Sequence, residues 1–138
     1  MSEEENKGLV RRFLHEAWNK NNILIVDELL SPAYCRHIAA DPYLLSRSAQ
    51  REMIQSVHRA FPDLRLTIED VIAEDDRVVF RGMLRGTQLH QFRSVEPTRK
   101  QILLMIIGII RVEDGLIVEQ WGGVNELDLL RQLDGQLS

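Results

Sequence analysis

The apolar positions change period once, near Pro62, and the change separates a helical part of the chain from a stranded part. Before it, Val10, Phe13, Leu14, Ala17 and Trp18 recur at helical spacing, while Arg11, Arg12, His15 and Glu16 take the other faces. Ser2 with Glu5 three residues later is a capping-box pattern, so a first amphipathic helix is predicted from here. It ends near Asn19–Asn22, where three Asn around one Lys disfavour continuation. Ile23 to Leu30 reads as a shorter second helix, stopped by Ser31–Pro32 because proline restricts the residue before it. Tyr34 to Ile38 reads as a short strand and Asp41–Pro42 as a turn. A third helix is predicted from about Ser48, with Met53, Ile54, Val57 and Phe61 as its apolar stripe and Pro62 as its end.

After Pro62 the period is two. Leu64, Leu66 and Ile68 alternate with Arg65, Thr67 and Glu69, the mark of a half-buried strand. Glu74–Asp75–Asp76 is a turn, and strands are predicted over Arg77 to Thr87, Gln101 to Val112 and Leu116 to Trp121. Asp114–Gly115 between the last two is a hairpin signal, because those residues tolerate the positive φ of a tight turn. Val124, Leu127, Leu130 and Leu133 give a closing helix. Helices followed by hairpin-linked strands predict an α+β fold with an antiparallel sheet, not βαβ units. No repeat or linker is evident, so residues 1–138 are expected to be one domain.

The strand Gln101-Ile-Leu-Leu-Met-Ile-Ile-Gly-Ile-Ile110 lacks the alternation of a sheet with one wet face. If Leu104, Ile106 and Gly108 face inward, then Leu103, Met105, Ile107 and Ile109 face outward. An apolar patch of that kind predicts a homodimer or higher homo-oligomer through the sheet face. The closing helix is the one spare element that would cover the patch instead.

Composition narrows the function classes. Of 138 residues, 44% are hydrophobic and 28% charged, a globular balance. Net charge is −4 with no basic block, which argues against nucleic acid as a partner. The apolar run Ile102–Ile110 would rise only about 14 Å as a helix, so no membrane span is expected. The acidic, polar start carries no targeting signal, so the cytoplasm is the expected compartment. Cys35 is the sole cysteine and allows no intrachain disulfide. His15 lies off the apolar stripe of the first helix and is expected to be solvated; His58 and His90 have no ligand-like spacing with another His, Cys or acid cluster, so no metal is expected. Arg77, Arg81 and Arg85 share a strand face, either to attract an acidic ligand or as a salt-bridged surface. No phosphate loop, Ser-His-Asp arrangement or Cys-His nucleophile pattern stands out.

The stretches Ala60-Phe-Pro-Asp-Leu-Arg-Leu-Thr-Ile-Glu-Asp70, Arg111-Val-Glu-Asp-Gly-Leu-Ile-Val-Glu-Gln-Trp121 and Leu127-Asp-Leu-Leu-Arg-Gln-Leu133 resemble the SnoaL-like polyketide cyclases. Glu16-Ala-Trp-Asn19 and Val26-Asp-Glu-Leu-Leu30 are similar to that family too. The resemblance implies an NTF2-like cone, in which a curved antiparallel sheet packs against N-terminal helices around an apolar pocket. It implies binding of a small apolar or polycyclic molecule, ring closure by proton transfer without metal or organic cofactor, and association through the sheet. Aligned on the Asp-Gly turn, the family's Asp position falls on Gly122 and its His position on Gly108. Glycine cannot exchange a side-chain proton, so two functions stay open: an enzyme of the cyclase or isomerase type with a different constellation, or a non-catalytic binding or interaction module. His37 is a candidate base, with no partner visible in the sequence, and Gln120 a candidate ligand hydrogen-bonder. Trp18, Tyr34, Val57, Leu104, Ile106, Gly108, Gln120 and Gly122 are the expected pocket lining, with Gln120 and Gly122 on one strand face.

Overall fold

The computed structural model describes residues 2–38 and 44–134, so the turn expected at Asp41–Pro42 lies outside the described residues. Helix α1 (Glu3–Leu14) starts at the predicted box: Ser2 Oγ accepts from Glu5 N at 3.1 Å, and Ser2 N donates to Glu5 Oε1 at 3.0 Å. A π turn over His15–Asn19 follows, then α2 (Leu24–Leu29). Strand β1 (Leu30–His37) leaves α2 without a loop, and β2 (Leu44–Ser46) leads into α3 (Arg47–Ala60). Strands β3 (Arg65–Glu74), β4 (Arg77–Thr87), β5 (Gln101–Glu113) and β6 (Leu116–Gly123) precede α4 (Glu126–Asp134).

The strands form one six-stranded, unclosed sheet in the order β2-β1-β6-β5-β4-β3. At the β5–β6 hairpin Asp114 and Gly115 take φ of 52° and 76°, the two positive values a type I′ turn requires. The pairing of β1 with β6 is parallel, which departs from the all-antiparallel sheet expected. β1 also begins earlier than Tyr34. Pro32 is tolerated there because the β1–β6 register breaks between Leu30 and Cys35, where no ladder hydrogen bond is needed from its nitrogen.

The core lies between the helices and the inner sheet face. Phe13 and Leu14 of α1, Ile54 and Val57 of α3, and Ile102, Leu104 and Ile110 of β5 all belong to one buried cluster. Along β5 burial alternates strictly, so Leu103, Met105, Ile107 and Ile109 point outward, between 36% and 57% exposed. Helix α4 does not cover that face. It closes the edge of β5 where β6 has ended: Leu103 N donates to Gln132 Oε1 and Gln132 Nε2 donates to Leu103 O, both at 2.9 Å. Among the described residues no helix is long and apolar enough to cross a membrane.

Candidate functional site

The inner sheet face, where the pocket was expected, is filled. Tyr34, Val57 and Leu104 are core residues less than 5% exposed. A void of about 10 Å³ remains, bordered by Trp18, Ile106 and Gln120 among others, too small for a ligand. A Cβ on Gly108 would stand 2.6 Å from the Phe80 ring, so Phe80 occupies the volume that this glycine leaves.

A cavity of about 760 Å³ opens instead at the end of the sheet, where β6 stops. Its walls come from β1 (Arg36), the adjoining Ile38, β2 (Leu45), α3 (Ala49, Glu52, Met53), β5 (Met105, Ile107) and the segment from Gly122 to Leu127, with Arg93 at its edge. Gly122 lines this cavity, whereas Gln120 is buried. Gly122 and Gly123 have φ of 75° and 106°, so the chain bends where β6 ends. Gln120 has a structural role, with Tyr34 Oη donating to its Oε1 at 3.0 Å.

The same glycine bend aims carbonyls at Arg36. Its Nε donates to Gly122 O and its Nη2 to Val124 O, each at 2.7 Å, and its Nη1 donates to Gln50 Oε1 at 3.3 Å. The side chain is 3% exposed, and among the described residues no carboxylate lies within ion-pairing reach. Burial lowers its pKa from the ordinary arginine value, against opposing pulls from Tyr34 and Glu126. Burial likewise raises the Tyr34 phenol, which keeps it neutral. These neutral acceptors satisfy hydrogen-bond donors without cancelling the charge, so the guanidinium leaves a positive potential in the cavity wall. Glu52 is exposed on the same cavity, and Glu126 is occupied by Arg93 at 2.7 Å. Arg36 carries one signal in the sequence: it is a charged residue two after Tyr34, at an inward position of a strand.

His37 faces the other side of the sheet, away from Arg36, and is not alone. Its Nε2 lies 2.7 Å from Glu119 Oε2 and 3.9 Å from Cys35 Sγ, and its ring stacks on Trp121 at 5.1 Å and 8°. Hydrogen bonds from His37 and Arg111 outweigh burial and hold the Glu119 carboxyl below its ordinary pKa. These three side chains form a cluster that the spacing of His58 and His90 does not reveal, because the parallel β1–β6 pairing is what brings Glu119 alongside Cys35. Of the arginines expected on one face, Arg81 is paired with Asp70 and Glu69, and Arg77 lies 5.4 Å over the Trp121 ring.

Comparison with known proteins identifies the family and the fold. The family profile described as SnoaL-like polyketide cyclase matches residues 8–133. AclR from Streptomyces galilaeus, a candidate hydroxylase, is 26% identical, with a TM-score of 0.86 over 99% of this chain and 85% of its own. IdmH from Streptomyces antibioticus, a candidate polyketide cyclase, is 27% identical, with a TM-score of 0.77 over 94% of this chain and 98% of its own. A SnoaL-like protein from Jannaschia sp. CCS1 shares the fold at 20% identity, with a TM-score of 0.83 over 95% of this chain and 92% of its own. No curated protein matches the chain.

Proposed function

Because the chain belongs to the SnoaL-like polyketide cyclase family, we propose that it binds a small, largely apolar or polycyclic molecule carrying an electron-rich oxygen, in the cavity at the end of the sheet. The observation that carries this is Arg36, a buried guanidinium in the wall of a space of about 760 Å³. That volume lies within the range of small-molecule sites, and a mixture of apolar wall and a few placed polar groups is their usual composition. Met53, Ile107 and Val124 supply apolar surface; Arg36 supplies the orienting charge. 1-Anilinonaphthalene-8-sulfonate, an aromatic anion, is a suitable probe. Saturable fluorescence binding is expected, weakened about tenfold by Ala49→Phe, which places a ring in the cavity. Equal affinity in both proteins would move the site elsewhere.

A second reading adds chemistry. Glu52 and Arg36 share the cavity, which provides a carboxylate base and a cation for a developing enolate, the pair that cyclase- or isomerase-type proton transfer needs. Neither role uses a cofactor. The test is deuterium exchange from solvent at the carbon beside the carbonyl of 2-tetralone. Exchange catalysed by the wild type and lost in Glu52→Gln supports an enzyme; equal rates leave a binding module without chemistry.

The partner we propose besides the ligand is a second copy of the chain, docked on Leu103, Met105, Ile107 and Ile109. Their exposure, with α4 engaged at the β5 edge, supports it.

A further inference from the structure

We propose that Cys35, His37 and Glu119 bind a zinc ion on the outer face of the sheet. Their donor atoms, one sulfur, one nitrogen and one oxygen, all lie within 4.8 Å of one another. The placement follows from strand geometry. Cys35 is paired with Glu119 across the parallel β1–β6 ladder, and His37, two residues further on β1, points to the same face. All three are partly buried, which removes some competing water and leaves a route of entry.

The neighbours hold the donors in orientation. Trp121 stacks nearly parallel to the His37 ring, and Arg111 Nε donates to Glu119 Oε1 at 3.1 Å, which leaves Oε2 for the cluster. Arg111 is itself held by Glu113 at 3.0 Å, so its charge is shared between two carboxylates. Support of this kind is what fixes metal ligands in place. The chemistry of the set favours zinc over harder ions: thiolate, imidazole and carboxylate are each zinc ligands, whereas calcium and magnesium take oxygen alone. Three protein ligands leave the fourth tetrahedral position to water.

The arrangement is not that of a cysteine nucleophile. In such a relay the thiol and the carboxylate use opposite nitrogens of the imidazole. Here Cys35 and Glu119 both meet Nε2. Convergence on one nitrogen brings the three donors towards a common point, which an ion occupies once the His37–Glu119 hydrogen bond opens. Tetrahedral zinc spaces sulfur and nitrogen by about 3.6 Å and nitrogen and oxygen by about 3.4 Å. The sulfur–nitrogen distance is 3.9 Å and the nitrogen–oxygen distance 2.7 Å, so loading brings the first pair slightly together and moves the second apart, changes that side-chain rotation supplies. On binding, the Cys35 thiol proton leaves to solvent and the imidazole proton moves from Nε2 to Nδ1, so that zinc meets a thiolate, a neutral imidazole and a carboxylate.

The test uses the full chain, stripped with EDTA and titrated with zinc, and with cobalt as a spectroscopic stand-in. One equivalent of each metal is expected to bind, cobalt with a sulfur-to-metal charge-transfer band. Cys35→Ser should abolish the band, and Glu119→Gln should weaken zinc binding at least about tenfold. Because Cys35 is the sole cysteine, alkylation by iodoacetamide reports the same site without any substitution: zinc should slow it at least about tenfold in the wild type. No stoichiometric binding, binding without the sulfur band, or alkylation indifferent to zinc would each overturn the site.

Discussion

Two glycines stand where the resemblance puts the family's acid and base, and each has a steric reason to be there. Gly108 and Gly122 are direct cross-strand partners on β5 and β6. A side chain at Gly108 meets Phe80 at 2.6 Å; one at Gly122 meets Ile107 O at 2.6 Å and must also adopt a φ of 75°. The double variant Gly108→His, Gly122→Asp is therefore expected to lose stability, by about 1–3 kcal/mol for each strained or overpacked site, and to gain no cyclase turnover. Urea unfolding beside an assay on a cyclase substrate checks both; turnover above background contradicts the steric account. Another residue-scale expectation concerns pH. His58 donates from Nε2 to Ala17 O at 2.7 Å and stacks on Trp18, and burial lowers its pKa. The folded state then binds fewer protons than the unfolded state. The stabilisation is present above the unfolded value of about 6.5 and is lost as pH falls through the lower folded value. Between pH 7.5 and 5 the wild type should lose more stability than His58→Gln, and identical pH dependence would assign the effect to other groups.

At the scale of elements, polar side chains finish what the backbone ladders leave open. Asn19, the last residue of the π turn, behaves as a short strand beside β3: its Nδ2 donates to Leu66 O at 2.9 Å and its Oδ1 accepts from Leu66 N at 2.7 Å. Asn19→Ala removes both bonds from a part-buried backbone and should lower stability by about 1–3 kcal/mol, whereas Asn22→Ala, whose side chain contacts only Glu16, should change it little; equal losses in calorimetry would remove Asn19 from this role. The elements themselves were legible in the apolar periods: the capping box, the Asp114–Gly115 hairpin and the β5 parity rest on local chemistry that the chain displays directly. The parallel docking of β1, the π turn and the glycine bend after Gln120 were not, because they depend on which distant strand supplies the partner. The site followed the same division. Gly122 lines the cavity at the end of the sheet and not the inner pocket expected of it, while Arg36 and the company of His37 depended on the pairing of β1 with β6.

At the scale of the molecule, the sheet has one face packed on helices, and its other face carries an apolar row on β5 that is exposed among the described residues. Leu103 and Ile109 stand at the two ends of its exposed row, 52% and 36% exposed, and neither lines the ligand cavity; Met105 and Ile107 between them do. A second copy docked there would cover the row and form an outer limit to the cavity, which would link assembly to ligand binding through the two middle residues. These side chains are about half-exposed, so covering each contributes roughly half of the 1.5–3 kcal/mol of a full burial, before the cost of association. The paired Arg81 with Asp70 and Glu69 gives this face a polar border, as interfaces have. Light scattering at micromolar concentration should give about twice the chain mass of 16.0 kDa. Leu103→Lys with Ile109→Lys should return the mass to that of one chain while binding of the naphthalene probe survives, weakened because the cavity loses its outer limit. Met105→Lys with Ile107→Lys should lose both dimer and probe. A wild type that scatters as a single chain would overturn the docking of copies and leave the cavity open on that side.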